Sequence, residues 1–381
     1  MKERILRTLR QLVDIPGLSG FEQPVVAHLR KAFREVADEV TVDSFGNLYA
    51  WRRAGAKASR GAKPSRGSKA EGAGAKPLTL MLAAHSDEVG FIVKAVEPTG
   101  FLRFDRVGGT PENMLLGQRV LVNDHRGVIG VKSAHLQQPE ERGKPVATQD
   151  MYIEVGARDA AEVERMGIHI GDPITFDFPL AEFAGTDRVA TKALDDRFGL
   201  AVLLELFRDL DGKKVPGDIV AVATVQEEVG LRGATVAAFR VNPDYALAVD
   251  TIPSGDTPDV RLTRDHPVAI GRGPVLLLAS GGGARGSIIH PAVKSFLLEA
   301  ADKAGVAYQR ALMINYGTTD ASAIHLTREG IPAGGIGLPR RFSHSSAETA
   351  DLNDGVGALR VLKAFIEAMP GHAGRLKFLP D

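Results

Sequence analysis

Residues 198–228, FGLAVLLELFRDLDGKKVPGDIVAVATVQEE, carry the plan of the whole chain in one stretch. From Phe198 to Leu210 the apolar residues recur at helical intervals, and a Gly-Lys-Pro segment then breaks the pattern. DIVAVATV (218–225) follows as a nearly unbroken apolar run, which is how a strand covered on both faces reads. Working outward, PLTLMLAA (77–84), DYALAVD (244–250) and IPAGGIGL (331–338) have the same texture, while HPAVKSFLLEAADKAG (290–305) and GVGALRVLKAFIEAM (355–369) keep the helical spacing. The alternation predicts an α/β fold, a mostly parallel sheet with helices on both faces. Residues 88–189 differ, being short Val- and Ile-rich pieces divided by Gly turns. In that region VLVNDHRGVIGV (120–131) reads as a hairpin turning at His125-Arg126-Gly127, and GDPITFDF (171–178) as another strand. We therefore expect one α/β domain from residues 1–87 and 190–381, with a β domain of residues 88–189 inserted into it.

The chain of 381 residues is 44% hydrophobic, enough for a large core, and its 47 Lys and Arg balance 47 Asp and Glu. That balance conceals one basic run. Arg52 to Lys76, RRAGAKASRGAKPSRGSKAEGAGAK, holds eight basic residues and one Glu, so it carries +7 and leaves −7 for the rest. Such a stretch can serve as a polyanion-binding arm. We read it instead as a flexible, solvated insertion between two strands, because it has no residue able to anchor a fold and loop closure costs grow slowly with length. No nucleic-acid partner is expected. Cysteine is absent, which removes disulfides, thiol nucleophiles and thiolate-held zinc. The opening residues MKERILRTLRQLVDI interrupt every apolar run with charge, and nowhere do eighteen apolar residues follow one another. A cytoplasmic protein without a membrane partner is the expectation.

In an open α/β sheet, ligands gather outside the carboxyl ends of the strands. There the sequence places His85-Ser86-Asp87-Glu88 after PLTLMLAA, Glu227-Glu228 after DIVAVATV, and Asp250 after YALAV. KALDDRFG sets Asp195-Asp196 ahead of a helix, and RRFSHSSAE sets His344 after the last strand. Taken singly, each has an ordinary reading as a satisfied histidine, a helix cap or a solvated acidic turn. Together they crowd carboxylates that a cation would hold, and two imidazoles with carboxylates suit a zinc-like site where no thiolate exists. There is no G-x-S-x-G elbow, H-E-x-x-H helix or Walker loop. One rival signal remains, Gly281-Gly282-Gly283-Ala284-Arg285-Gly286, which fits the G-x-G-x-x-G of a dinucleotide-binding oxidoreductase. We read it as a glycine loop, because the next strand lacks the acid that holds a ribose.

The series HSDEVGFIV, KALDDRFG, TVQEEVGLRGA, AVDT, GTTDA and RFSHSSAE resembles the glutamyl aminopeptidase and deblocking aminopeptidase family of dinuclear metallopeptidases, which includes TET-type aminopeptidases and some proteins labelled endoglucanase. The similarity runs from PGLSGFE (16–22) almost to the C-terminus. It implies a phosphorylase/hydrolase-like core of the zinc-peptidase type and a PDZ-like inserted domain that pairs subunits, with dimers building a dodecamer. It also implies two divalent ions per subunit, zinc, cobalt or manganese. Asp195 would bridge them, His85 and Asp250 would complete one set of ligands, and Glu228 and His344 the other. Glu227 would be the general base, and Asp87 would orient His85 from behind. By the same resemblance the peptide after Asp195 is cis. The implied reaction is removal of N-terminal residues from peptides. An N-acyl amino acid deacylase or carboxypeptidase with the same centre is the alternative within hydrolases. Preference for an acidic first residue would call for a cation in the pocket, and Arg232, Arg264, Arg340 and Arg341 are the candidates.

Overall fold

The computed structural model describes residues 1–55, 77–140, 143–281, 286–314 and 317–379. Most of the basic run therefore lies outside the described residues, as do Gly282 to Arg285 of the glycine motif. Two antiparallel strands, β1 (Glu39–Val42) and β2 (Leu48–Arg52), precede β3 (Thr79–His85). Six strands follow, β4 (Gly90–Val96), β5 (Leu102–Val107), β6 (Arg119–Val122), β7 (His125–Gly130), β8 (Tyr152–Glu154) and β9 (Pro173–Phe176). They close into a barrel in the order β4-β5-β8-β7-β6-β9. Its interior has a core of its own, in which Phe91 meets Phe104 and Phe176 edge-on at 5.1 and 5.4 Å. The chain then returns through β10 (Ala181–Glu182) and β11 (Arg188–Thr191) to the large sheet.

That sheet is completed by β12 (Asp218–Thr224), β13 (Tyr245–Pro253), β14 (Val275–Ser280), β15 (Ser287–Ile288), β16 (Gln309–Met313), β17 (Ala333–Arg341) and β18 (Glu348–Asp351). The expected parallel character holds only in its centre, where β12, β3, β13 and β17 run side by side in parallel, and for β14 with β16. Elsewhere the pairs are antiparallel, so the sheet is mixed rather than mostly parallel. Short connections explain part of the difference. This holds for β1 with β2, β10 with β11, β14 with β15 and β17 with β18, each joined by a short return that is antiparallel, whereas β2 with β12, β11 with β18 and β14 with β17 pair antiparallel over long stretches of chain.

Helices cover both faces. On one side lie α1 (Lys2–Val13), α2 (Gln23–Arg34), α4 (Leu194–Leu210), α6 (Pro291–Ala304) and α8 (Leu352–Glu367), while α3 (Ala160–Arg165) belongs to the barrel region. On the other side lie α5 (Arg232–Val241) and α7 (Ala321–Ile324). Strand β3 shows how one sequence serves two faces: Leu80, Leu82 and Ala84 enter the core under α4, and Met81 and Ala83 enter the core under α5. Helix boundaries follow local chemistry. Pro291 sits at the first turn of α6 and Gly305, with φ +57°, ends it, while Asp351 caps α8 by accepting from the Asn353 amide. The barrel hairpin turns at Asn123-Asp124 rather than at His125, which lies inside β7. Asn123 takes the positive φ (+51°) there, a conformation Asn tolerates better than most residues. No helix among the described residues is long and apolar enough to cross a membrane.

A histidine inside the α6–α8 layer makes this core sensitive to pH. His372 is 1% exposed, its ring stacks on Phe296 at 3.7 Å, and Nε2 is buried without a hydrogen-bond partner. Burial, helped by Arg375, pushes its pKa from 6.5 down to about 4. Between those values the unfolded chain binds more protons than the folded one. The contribution of neutral His372 is therefore complete above pH 6.5 and is lost as the pH falls toward 4, by at most about 3 kcal/mol. We expect His372→Phe to flatten the fall of Tm across that window; an unchanged slope would contradict this.

Candidate metal centre

The central strands point their carboxyl ends to one rim, and the register aligns what they carry. Thr224 at the end of β12 pairs with His85 at the end of β3, and Asp250 in β13 pairs with Gly337 in β17. Helix α4 begins beside them with Asp195 and Asp196 in a non-helical kink, joined by a cis peptide bond. His344 follows β17 with φ +59°. The five side chains named as ligands thus come from five separate places in the sequence and meet at one point.

Asp195 is the centre of the arrangement. Its Oδ1 lies 3.1 Å from His85 Nε2 and accepts from the Thr251 hydroxyl at 2.8 Å, while Oδ2 lies 3.3 Å from His344 Nε2. Asp250 Oδ1 is 3.8 Å from His85 Nε2, and Glu228 Oε1 is 3.5 Å from His344 Nε2. Ligand atoms of His85, Asp195 and Asp250 lie within 4.8 Å of one another, and so do those of Asp195, Glu228 and His344. A third group, His85, Glu227 and Glu228, meets the same limit, so Glu227 also stands at the edge of the cluster.

The donor set fits cations. Both imidazoles turn Nε2 inward and set Nδ1 against a carbonyl, His85 on Asp87 O and His344 on Gly109 O, each at 3.2 Å. With the proton on Nδ1, the Nε2 lone pair is left facing the cluster, the tautomer a metal takes. Glu228 Oε1 and Asp196 Oδ2 are buried without hydrogen-bond partners, an expense that a bound cation at Glu228 would remove.

Asp87 is buried and ties the strand ends together. Its carboxylate accepts from Ser19 at 2.6 Å, from the Glu227 amide at 3.0 Å and from the Glu228 amide at 3.1 Å, and Oδ1 lies 3.5 Å from His85 Nδ1. It therefore positions the acidic pair and stands behind the imidazole without facing the cluster.

Charge in this site is strongly perturbed. Burial raises the Glu227 carboxyl well above its usual range, and the carboxylates of Asp250, Glu228 and Asp320 add to the rise against the opposing His85. Glu228 is pushed to about 7, chiefly by burial and against the pull of His344. Asp195 goes the other way. Although burial opposes it, the Arg340 guanidinium and the two histidines hold its carboxyl well below the ordinary value.

Several participants were not singled out as site residues from the sequence. Glu348, four residues past His344, accepts from the Asp195 amide at 3.1 Å and the His344 amide at 2.7 Å. Thr251 grips Asp195 directly, and so does Arg340, which the sequence offered only as a cation for an acidic substrate. Lys192 holds Glu88 at 2.8 Å on both oxygens, which accounts for that buried acid outside the cluster. Of the four arginines considered for an acidic substrate, Arg340 is spent on Asp195, Arg341 pairs with Asp256 at 2.7 Å, Arg264 with Asp265 at 2.5 Å, and Arg232 donates to the Gln226 side chain. Among the described residues, Gly286 at the end of the glycine motif leads into β15, paired antiparallel with β14, and not into a helix that could face a phosphate.

A model of the M42 glutamyl aminopeptidase family matches residues 68–360. A putative aminopeptidase of Acetivibrio thermocellus is 37% identical, over 95% of this chain and 98% of its own. An aminopeptidase structure from the archaeon Desulfurococcus kamchatkensis superposes with a TM-score of 0.87 at 36% identity, covering 99% of this chain and 98% of that one. The TET1 peptidase of Pyrococcus horikoshii, described as able to assemble into a tetrahedron or a large octahedral shell, gives 0.78 at 28% identity, with 95% and 99% covered.

Gly199 illustrates how tightly the kink is built. Its amide donates to Asp196 Oδ1 at 3.0 Å, and a Cβ on it would lie 2.5 Å from that carboxylate. Gly199→Ala should therefore destabilise the protein by about 1–3 kcal/mol in urea unfolding; an unchanged midpoint would refute this packing.

Proposed function

The chain belongs to the M42 glutamyl aminopeptidase family, and on that premise we propose that it is an aminopeptidase working through two divalent ions held at the Asp195 cluster. The observation that carries the two-ion reading is the sharing of Asp195. One carboxylate faces His85 through Oδ1 and His344 through Oδ2, and it belongs both to the group with His85 and Asp250 and to the group with Glu228 and His344. In this reading His85, Asp195 and Asp250 hold one ion, and Asp195, Glu228 and His344 the other. Zinc, cobalt and manganese all suit imidazole and carboxylate ligands. Cations bound there supply positive charge that polarises a peptide carbonyl and acidifies water.

Protein groups do the rest. Glu227, its amide pinned by Asp87, is the general base. Its raised proton affinity suits a carboxylate that takes a proton from the attacking water as oxygen bonds to the carbonyl carbon. The same proton passes to the amide nitrogen as the C–N bond breaks, releasing the first residue and a shortened peptide. Asp87 acts as a positioning residue, since it holds His85 and both glutamates without reaching the reaction. The acidic rim attracts the free α-ammonium of a peptide, which favours an amino-terminal substrate over an N-acylated one.

For the whole molecule we propose a catalytic metallopeptidase domain of residues 1–87 and 190–381 and a PDZ-like dimerisation domain of residues 88–189. Assembly beyond the dimer is supported by the tetrahedral shells described for the Pyrococcus horikoshii relative.

Glu227→Gln should retain two ions per subunit by elemental analysis yet lose about 100- to 10,000-fold in kcat on amino-acyl nitroanilides. Ordinary turnover would remove Glu227 as the base, and hydrolysis of N-acyl amino acids alone would favour the deacylase. Sedimentation at micromolar concentration should show no species of monomer mass; a monomer would contradict the assembly.

A further inference from the structure

Arg340 is placed where a cation of the second metal set would draw its charge. It is 2% exposed, and its guanidinium bonds to Asp195 Oδ2, the oxygen that faces His344, and not to Oδ1, the oxygen that faces His85. The rest of the group is fixed by Thr251 Oγ1 at 2.7 Å, by the Ser343 hydroxyl and by Glu348 Oε1 at 3.4 Å. A guanidinium keeps its charge at any pH of interest, so this positive group is permanent.

We propose that Arg340 is a built-in rival of the second ion, which makes the two metal positions unequal: the His85–Asp195–Asp250 position fills first and tightly, and the Asp195–Glu228–His344 position fills later and weakly. The inference rests on the two-ion reading and deepens it. The reasoning is electrostatic. The second position must share its bridging oxygen with a fixed cation, in a buried setting where close charges couple strongly. The first position uses the oxygen that Arg340 leaves free. Arg340 also compensates Asp195 when the second position is empty, so the site keeps its shape with a single ion bound. A consequence is an enzyme whose fully loaded state depends on the free metal concentration around it.

The test is cobalt(II) titration of the chelator-stripped full-length protein, followed by calorimetry and visible absorption, with circular dichroism to verify folding. Wild type should show two binding events separated by at least about tenfold in affinity. Arg340→Met should tighten the weaker event by about tenfold or more while leaving the tighter one nearly unchanged. Arg340→Gln, which keeps a hydrogen-bond donor without the charge, should behave like Arg340→Met and serves if the methionine variant does not fold. Arg340→Lys should stay close to wild type. Two equal sites in wild type, or an unchanged or weaker second event in both neutral variants, would overturn the role given to Arg340 while leaving two bound ions intact. Failure of wild type to bind two ions would overturn the two-ion reading, and this inference with it.

Discussion

Negative charge buried beside negative charge is the constraint around which this rim of the sheet is organised. Asp87, Asp195, Asp196, Asp250, Glu227 and Glu348 are all nearly withdrawn from water within one cluster. Isolated ionised carboxylates cannot be held in such a place, so each must be neutralised, hydrogen-bonded or set against positive charge. The structure uses all three means. Asp87 is satisfied by a hydroxyl and two amides, Glu227 holds its proton more tightly than a free acid, and Asp195 takes Arg340 and two imidazoles.

This constraint accounts for features that otherwise look unrelated. Four adjacent parallel strands occupy the middle of a mixed sheet, where their shared direction delivers His85, Thr224 and Asp250 to one edge. The barrel is inserted between Asp87-Glu88 and the strand that leads into Asp195, so both its ends are anchored at the cluster. It contributes to the site as well. The turn after β5 brings the Gly109 carbonyl to His344 Nδ1 and Gly108 against the Glu228 side chain, which fixes the ring that faces Asp195. The position of His344 thus depends on a segment outside the large sheet.

Much of this was legible in the sequence because the relevant signals are local. Ile219 to Val225 must be buried on both sides, and the acids directly after it must then lie at the strand's end. The same logic located His85 and Asp250. Strand direction was less legible, since apolar runs such as Gly334 to Leu338 look alike whether the neighbour is parallel or antiparallel, and β17 in fact pairs parallel with β13 and antiparallel with β14 and β18. The hairpin was read as turning at His125-Arg126-Gly127, and the pairing register moves the turn to Asn123-Asp124. Arg340 was the least legible group. It was one of four arginines offered as a cation for an acidic substrate, and its burial on Asp195 is created by the approach of β17 to α4, which no spacing reveals.

The central claim, that Asp195 joins two metal positions, is tested most directly by anomalous diffraction from crystals of the zinc-loaded protein. The account predicts two anomalous peaks per subunit, one between His85 and Asp250 and one between Glu228 and His344, with Asp195 touching both. No peak at this rim, or a single peak that leaves Asp195 out, would contradict it.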